Sequence, residues 1–219
     1  MHDELPDFDA VYRGQGITEG ADQSVPWNIG VPQPAIAELI EQGVGSPVLD
    51  AGCGVGVTAL DLAARGHEVV GVDSSETAIA EAEAAKDARH ATASFQVADV
   101  TELDGYYDGR FSTVIDSTLF HSLPVDRRDD YLRSIARAAR DGAVLRVLVF
   151  RSDAFPEGGG PNAVTAEELR AAVEEHWNVD SIEDSSIAAF LPAELGGAAH
   201  PTDEQGRSRI PAFLLTAHR

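Results

Sequence analysis

From about residue 35 onward, short apolar runs alternate with longer amphipathic stretches. Ala35–Gln42 sets Ile36, Leu39 and Ile40 on one helical face, with Gly43 as a stop, and predicts a short helix. Pro47–Asp50 reads as a first strand, and Thr58–Arg65 as a helix closed by Gly66. The second strand, Glu68–Val72, has a VVGV core without a polar face, the pattern of a strand covered on both sides. An alanine-rich helix over Ser75–Ala85 follows, with Ser74 or Ser75 as N-cap. Ser94–Ala98 and Phe111–Ile115 predict strands three and four, and Asp126–Ala139 an amphipathic helix with Tyr131, Ile135 and Ala138 inward. Ala143–Phe150, strand five, carries the strongest strand pattern of the chain. Thr165 and Glu168 form a capping box at the start of another helix, and weaker strands lie near Asn178–Glu183 and Ile210–Ala217.

This alternation predicts an α/β, Rossmann-like fold with a mostly parallel sheet, helices on both faces and ligands at the carboxyl ends of the strands. Residues 1–34 are irregular and read as a cover segment carrying Phe8, Tyr12 and Trp27. The stretches 152–164, with its GGGP, and 188–209 are too long and too rich in Gly and Pro for simple connections, so both are expected to be lid loops. With 219 residues the chain is expected to be one domain, 1–219, which must bind cofactor and substrate together.

Charge narrows the partners. Against 16 basic residues stand 37 acidic ones, a formal charge of -21 that disfavours nucleic acid and anionic membranes. The single cysteine, Cys53, excludes an internal disulfide framework and fits a reducing cytoplasm. The N-terminus lacks the basic start and apolar run of a leader, and no segment approaches the roughly 18 apolar residues of a membrane span. A soluble cytoplasmic protein, monomeric or homodimeric, with a small-molecule substrate and no metal, is expected.

The chemistry centres on Val48-Leu49-Asp50-Ala51-Gly52-Cys53-Gly54-Val55-Gly56, a buried strand that ends on a carboxylate and turns through glycines into a helix. Such a turn lets a ligand lie against bare backbone beside free helix N–H groups. A dinucleotide turn reads GxGxxG, but here Val57 stands where its third glycine would fall, and Asp50 would repel a pyrophosphate. A cofactor with a cationic amino-acid head and no phosphate, S-adenosylmethionine, suits Asp50 better. Asp73, ending strand two, is placed to accept from the ribose hydroxyls of an adenosine, with Ser74 beside it as a further cofactor-binding candidate, unless Asp73 only caps the next helix. Asp99 ends strand three, where it can take the adenine amino group while the Val100 amide meets a ring nitrogen; alone it would be a turn residue.

Asp116 and Ser117 end strand four, beside the first strand, and are expected to face the reactive sulfur. In the following Thr118-Leu119-Phe120-His121-Ser122, His121 is the general-base candidate, or else a hydrogen-bonded pocket histidine. Trp27 is a candidate to stack on the cofactor or attract the sulfonium, or else plugs the core edge. Tyr12, Phe120, Phe150 and Phe190, with Phe8, Phe155 and Leu191, are candidates to line a pocket for a flat apolar ring.

Taken in order, VLDAGCGVG, VVGVDSS, FQVADV and FSTVIDSTLFHSLP resemble the class I S-adenosylmethionine-dependent methyltransferases over the central half of the chain. WNIGVPQPAIAELI, STLFHS, VLVF and PNAVTAEELRAAV resemble a narrower group, the heterocyclic toxin methyltransferases of mycobacteria. The resemblance implies a seven-stranded fold, S-adenosylmethionine as donor, and methylation of an N-hydroxyquinolone or related small aromatic heterocycle as detoxification. It puts Asp50, Gly52 and Gly54, with Cys53 between them, around the methionine moiety, Asp73 on the ribose, Asp99 and Val100 on adenine, and Asp116 near the sulfur. At Ala139-Arg140-Asp141-Gly142-Ala143 the chain departs from the Pro-Gly-Gly turn of many relatives. Competing readings remain: a methyltransferase of another small phenol, thiol or natural-product acceptor; a nicotinamide-dependent oxidoreductase, against which stand Asp50 and the absent glycine; and a protein methyltransferase or non-catalytic cofactor-binding regulator.

Overall fold

A computed structural model describes residues 7–15, 25–155, 161–191 and 200–219. A short helical turn, α1 (Phe8–Ala10), runs into a π turn at Val11–Gln15, and α2 spans Pro34–Gln42. Then come β1 (Val48–Ala51), α3 (Val57–Ala64), β2 (Val69–Asp73), α4 (Glu76–Arg89), β3 (Ser94–Val97) and β4 (Phe111–Ser117). The chain continues through α5 (Arg128–Ala138), β5 (Ala139–Phe150), α6 (Ala166–Glu174), β6 (Asn178–Ala189) and β7 (Ser208–His218). The strands form one seven-stranded sheet in the order β3-β2-β1-β4-β5-β7-β6. All pairs from β3 to β5 are parallel, and β7 runs antiparallel between β5 and β6.

Side chains alternate between the two faces of each strand and so feed two cores. On one face Val114, Leu145 and Val147 pack with Tyr131, Leu132 and Ile135 of α5 and Leu169 and Val173 of α6. On the other, Val48, Ile115 and Leu148 pack with Ile36 and Ile40 of α2, Leu60 and Leu62 of α3, and Ile79 of α4. Burying each such aliphatic side chain contributes about 1.5–3 kcal/mol. The predicted two-sided burial of VVGV holds, since Val69 to Val72 are all buried. Strand order reverses between β1 and β4, so their carboxyl ends open the crevice where ligands of such folds bind.

Several predicted boundaries move. The helix expected to stop at Ala85 continues to Arg89, where Lys86 and Arg89 complement the negative end of its dipole, and its N-cap is Ser75, whose Oγ accepts from the Ala78 N–H at 3.0 Å. Strand five begins at Ala139 rather than Ala143, with a register shift against β4 between Phe111 and Thr113. The expected short strand near Asn178–Glu183 runs on to Ala189, because β7 pairs with it along its whole length. Both ends of the expected 188–209 lid therefore belong to strands: Ala188 pairs with Arg209 and Ala189 with Ser208. Residues 192–199 of that lid, 156–160 of the other, and 1–6 and 16–24 of the cover lie outside the described residues. The cover is not wholly irregular, since Phe8–Gln15 forms helical turns. No helix among the described residues is long and apolar enough to cross a membrane.

Candidate active site

The turn after β1 adopts left-handed backbone at Gly52 (φ 68°) and Gly54 (φ 52°), conformations that only glycine takes without strain. Both positions are also roofed. A Cβ on Gly52 would come within 2.9 Å of the Leu119 side chain, and one on Gly54 within 2.6 Å of the Tyr12 hydroxyl. Bare backbone thus lines a slot whose walls are Leu119 from the turn after β4 and Tyr12 from the cover. The Cys53 side chain packs toward the core beside Gly71, which leaves its backbone as the part available to a ligand; burial pushes its thiol well above its ordinary pKa.

The four strand-end acids occupy different environments. Asp50 is buried, and its Oδ2 accepts from the Ala59 N–H in the first turn of α3 at 3.0 Å. Burial raises its pKa to about 7, and the charges of Asp73 and Asp116 add to the rise. Asp73 accepts from the N–H groups of Gly54 and Ser75, both at 2.9 Å, through different oxygens, which ties the glycine turn to α4. A carboxylate has about four acceptor positions, so Asp73 keeps capacity for two hydroxyls. Burial raises its pKa as well. The neighbouring Ser74 side chain is exposed, and Ser75 performs the capping. Asp99 is 61 % exposed; its Oδ1 accepts from the Thr101 N–H and hydroxyl, and Arg127 stands 3.6 Å from Oδ2. Val100 opens a 3-10 turn, so its N–H has no partner within that turn.

Asp116 corrects an expectation. Its carboxylate is fully buried, accepting at Oδ1 from the N–H groups of Leu119 (2.8 Å) and Phe120 (3.2 Å) and at Oδ2 from the Tyr131 hydroxyl (2.8 Å). Burial raises its pKa to about 6 against the lowering effect of these bonds. With both oxygens engaged by α5 and its own turn, the Asp116 carboxylate shapes that turn from inside the protein and is not presented to a ligand. Within that turn Ser117 is half-buried at the end of β4, and Thr118 sits at φ 80°, a left-handed conformation costly for a β-branched residue. Phe120 is likewise corrected from pocket lining to core: it has no exposed surface, its ring lies 6.3 Å from Tyr131, and the Arg128 guanidinium covers it at 4.7 Å.

His121 is buried at 3 % exposure, with its ring against Phe150 at 4.2 Å. Its Nδ1 accepts from the Phe150 N–H at 3.3 Å. Burial, together with the nearby Arg128 charge, lowers its pKa to about 3, so the imidazole is neutral. Phe155 meets Phe150 edge-on at 5.1 Å, and His200 meets Phe155 edge-on at 6.0 Å. These four rings form an aromatic wall past the ends of β4 and β5. Sequence reasoning missed His200, and also Arg128.

The cover is fastened to this crevice at two places that local sequence does not signal. Asp9 accepts from the Ser75 hydroxyl (2.7 Å) and the Thr77 N–H (3.0 Å), which lowers its pKa and holds α1 on the N-terminus of α4. The buried Gln33 side chain both donates to the Ala188 carbonyl (2.9 Å) and accepts from the Ala188 N–H (2.8 Å), extending the ladder beyond β6. Trp27 donates through Nε1 to the Tyr12 hydroxyl (3.3 Å) and packs edge-on against Phe8 and Tyr12. Tyr12, expected against the substrate, therefore stands over the glycine turn. Phe190 donates its N–H to Pro26 while its side chain is 43 % exposed on the rim, and Leu191 packs beside Phe150 and Phe155.

Residues 48–142 match a family described as methyltransferase domain. Over 228 aligned positions, spanning all of both chains, the protein is 46 % identical to the 2-heptyl-1-hydroxyquinolin-4(1H)-one methyltransferase of Mycobacteroides abscessus. The chain belongs to the S-adenosylmethionine-dependent methyltransferases. The cofactor is therefore S-adenosylmethionine, and the nicotinamide-dependent oxidoreductase is excluded. A solved structure concerned with conversion of a disulfide bond into a thioacetal group during echinomycin biosynthesis superposes on this methyltransferase with a TM-score of 0.83. It is 35 % identical and covers 97 % of this chain and 90 % of its own. The 1,6-didemethyltoxoflavin-N1-methyltransferase of Burkholderia thailandensis, solved with 1,6-didemethyltoxoflavin and S-adenosylhomocysteine, shares the fold at a TM-score of 0.62 and 24 % identity, across 85 % of this chain and 76 % of its own.

Proposed function

We propose that this methyltransferase transfers a methyl group to a small, planar aromatic heterocycle, with O-methylation of an N-hydroxyquinolone as the type reaction and detoxification as its role. The observation that carries the reading is the aromatic wall of His121, Phe150, Phe155 and His200 past the ends of β4 and β5, a surface suited to the face and edge of a flat ring. End-to-end likeness to a quinolone methyltransferase supports it.

The residues present fit the cofactor. A rim of carboxylates at the strand ends suits a cationic head and repels phosphates, and any Cβ at Gly52 or Gly54 would fill the slot. In this reading Gly52, Gly54 and the Cys53 backbone carry the methionine portion near Asp50, Asp73 takes the ribose hydroxyls, and Asp99 with the Val100 N–H takes adenine. Tyr12 and Trp27 close over it, and Ser117 lies at the junction with the acceptor. When bound, the group supplies an electrophilic methyl on sulfur and a neutral thioether leaving group. The protein's contribution is alignment and exclusion of water, which together account for several kcal/mol of barrier. One domain performs both tasks, in the cytoplasm, as a monomer or homodimer; the charge of -21 supports the absence of a nucleic-acid or membrane partner.

Incubation with isotopically labelled S-adenosylmethionine and a panel of hydroxyquinolones, phenazines, phenols and thiols tests the proposal. Labelled product is expected with the planar hydroxylated heterocycles. Transfer only to proteins, or only to non-aromatic thiols, would overturn it.

A further inference from the structure

From the geometry around His121 we infer that this enzyme takes its acceptor as a preformed anion, held by the Nε2–H of a histidine that donates a hydrogen bond and never acts as a base. The inference rests on the proposed heterocycle methylation and narrows its substrates to hydroxylated or thiolated heteroaromatics acidic enough to be ionised at working pH.

A backbone N–H is always a donor, so the bond from Phe150 to Nδ1 requires that Nδ1 carry the lone pair. In a neutral imidazole the proton then sits on Nε2, which becomes a donor. Accepting a second proton would require Nδ1 to surrender the Phe150 bond. It would also place a cation in a buried site already facing the Arg128 guanidinium of α5. The other sides of the ring meet Phe150 of β5 and the turn built on Asp116, whose carboxylate is occupied by Leu119, Phe120 and Tyr131. Nε2 has no hydrogen-bond partner among the described residues, so its proton is available to a group that enters beside the ring.

The two buried strand-end carboxylates do not replace it, and the Nε2 of His200 is itself fully buried. Asp116 faces away from the crevice, and Asp50 is buried against Ala59. In this proposal the acceptor loses its proton to water before it is enclosed. In the transfer step a lone pair of the anionic oxygen or sulfur forms the bond to the methyl carbon while the sulfur–carbon pair returns to the donor sulfur. A sulfonium and an anion become a thioether and a neutral ether or thioether, and no proton moves. An Nε2–H donor stabilises the anion against its neutral form and orients its lone pair, and the Arg128 charge acts in the same direction.

The test uses the full chain, S-adenosylhomocysteine and a series of chromogenic hydroxyquinolones and nitrophenols of graded acidity, whose bound ionisation is read by absorbance across pH. The enzyme is expected to bind the anion about tenfold more tightly than the neutral form, which lowers the apparent pKa of the bound acceptor by about one unit. His121→Gln, whose amide can accept from Phe150 and donate to the acceptor, is expected to keep that preference, and His121→Phe to lose it. In turnover by the unmodified enzyme, the inflection of kcat/KM with pH is expected to track the pKa of each acceptor. An inflection fixed at one value for every acceptor, or an anion preference that survives in His121→Phe, would overturn the inference. So would tighter binding of neutral acceptors, which leaves the heterocycle reading intact; failure of all of them to bind would bring down both.

Discussion

Asp50 and Asp116 end the two central strands of the sheet, whereas Asp73 and Asp99 end the strands toward its β3 edge. Each closes an apolar run on a carboxylate, yet the inner pair is buried and the outer pair reaches the surface. β1 and β4 are flanked by strands on both sides and covered by helices on both faces, so polar groups at their ends must find partners inside the protein. They do so in Ala59, Leu119, Phe120 and Tyr131. Asp73 is only half-buried and Asp99 exposed, and both keep acceptor capacity for something that is not protein. Burial separates the acids engaged inside the protein from those with acceptor capacity to spare.

The hardest test of that division is Asp116→Ala. Removing the acceptor strands the Tyr131 hydroxyl and two buried N–H groups, and a destabilisation of about 3–5 kcal/mol is expected in chemical denaturation. Asp116→Asn, which keeps an acceptor oxygen, is expected to lose well under half as much. If Asp116→Ala instead left stability intact and abolished only methyl transfer, the acid would belong to the chemistry after all.

Asp50 makes the next largest prediction, and its sign follows from burial. With a pKa of about 7 in the folded protein against 3.8 for the free side chain, Asp50 retains a proton in the folded state that the unfolded chain has released. Its stabilisation is fully present below about pH 4 and is lost as pH rises through about 7, and Asp116, at about 6, adds in the same direction. Unfolding free energy is expected to fall between pH 4 and 7.5 by a few kcal/mol, and Asp50→Asn to flatten that slope by roughly half. Denaturation curves at four pH values check it; a slope unchanged in the variant would show that Asp50 is ionised and paired.

What could be read from local pattern, and what could not, divides along similar lines. Strand-end acids, the glycine turn and the Thr165 capping box are local signals, and all stand where the sequence predicts them. The direction in which Asp116 turns is not local, because Tyr131 lies across a turn and a helix start. β6 was legible only over its first half, since Asp184–Ala189 carries little strand pattern and is held by pairing to β7. The cover is fastened by Asp9 on Ser75 and by Gln33 on Ala188, contacts between segments far apart in sequence with no composition to announce them. His121 stands out by residue type, but its Nδ1 partner, a backbone N–H of the next strand, is invisible in the sequence.

The outer pair yields the smaller effects. Asp73→Ala is expected to weaken S-adenosylmethionine binding about 100-fold in calorimetry, with a loss of about 1–2 kcal/mol in stability from the unpaired Gly54 and Ser75 N–H groups. Asp99→Ala is expected to do least: a threefold to tenfold loss of affinity, and stability within about 0.5 kcal/mol of the parent. Its carboxylate is largely solvated, its pairing with Arg127 is an exposed ion pair, and the Thr101 N–H it caps can turn to water instead. The Val100 N–H, which no side-chain substitution removes, stays available in either variant. Should Asp99→Ala cost as much affinity as Asp73→Ala, the carboxylate would have to be shielded in the bound state, and the 3-10 turn with Arg127 would then close over adenine instead of lying open beside it.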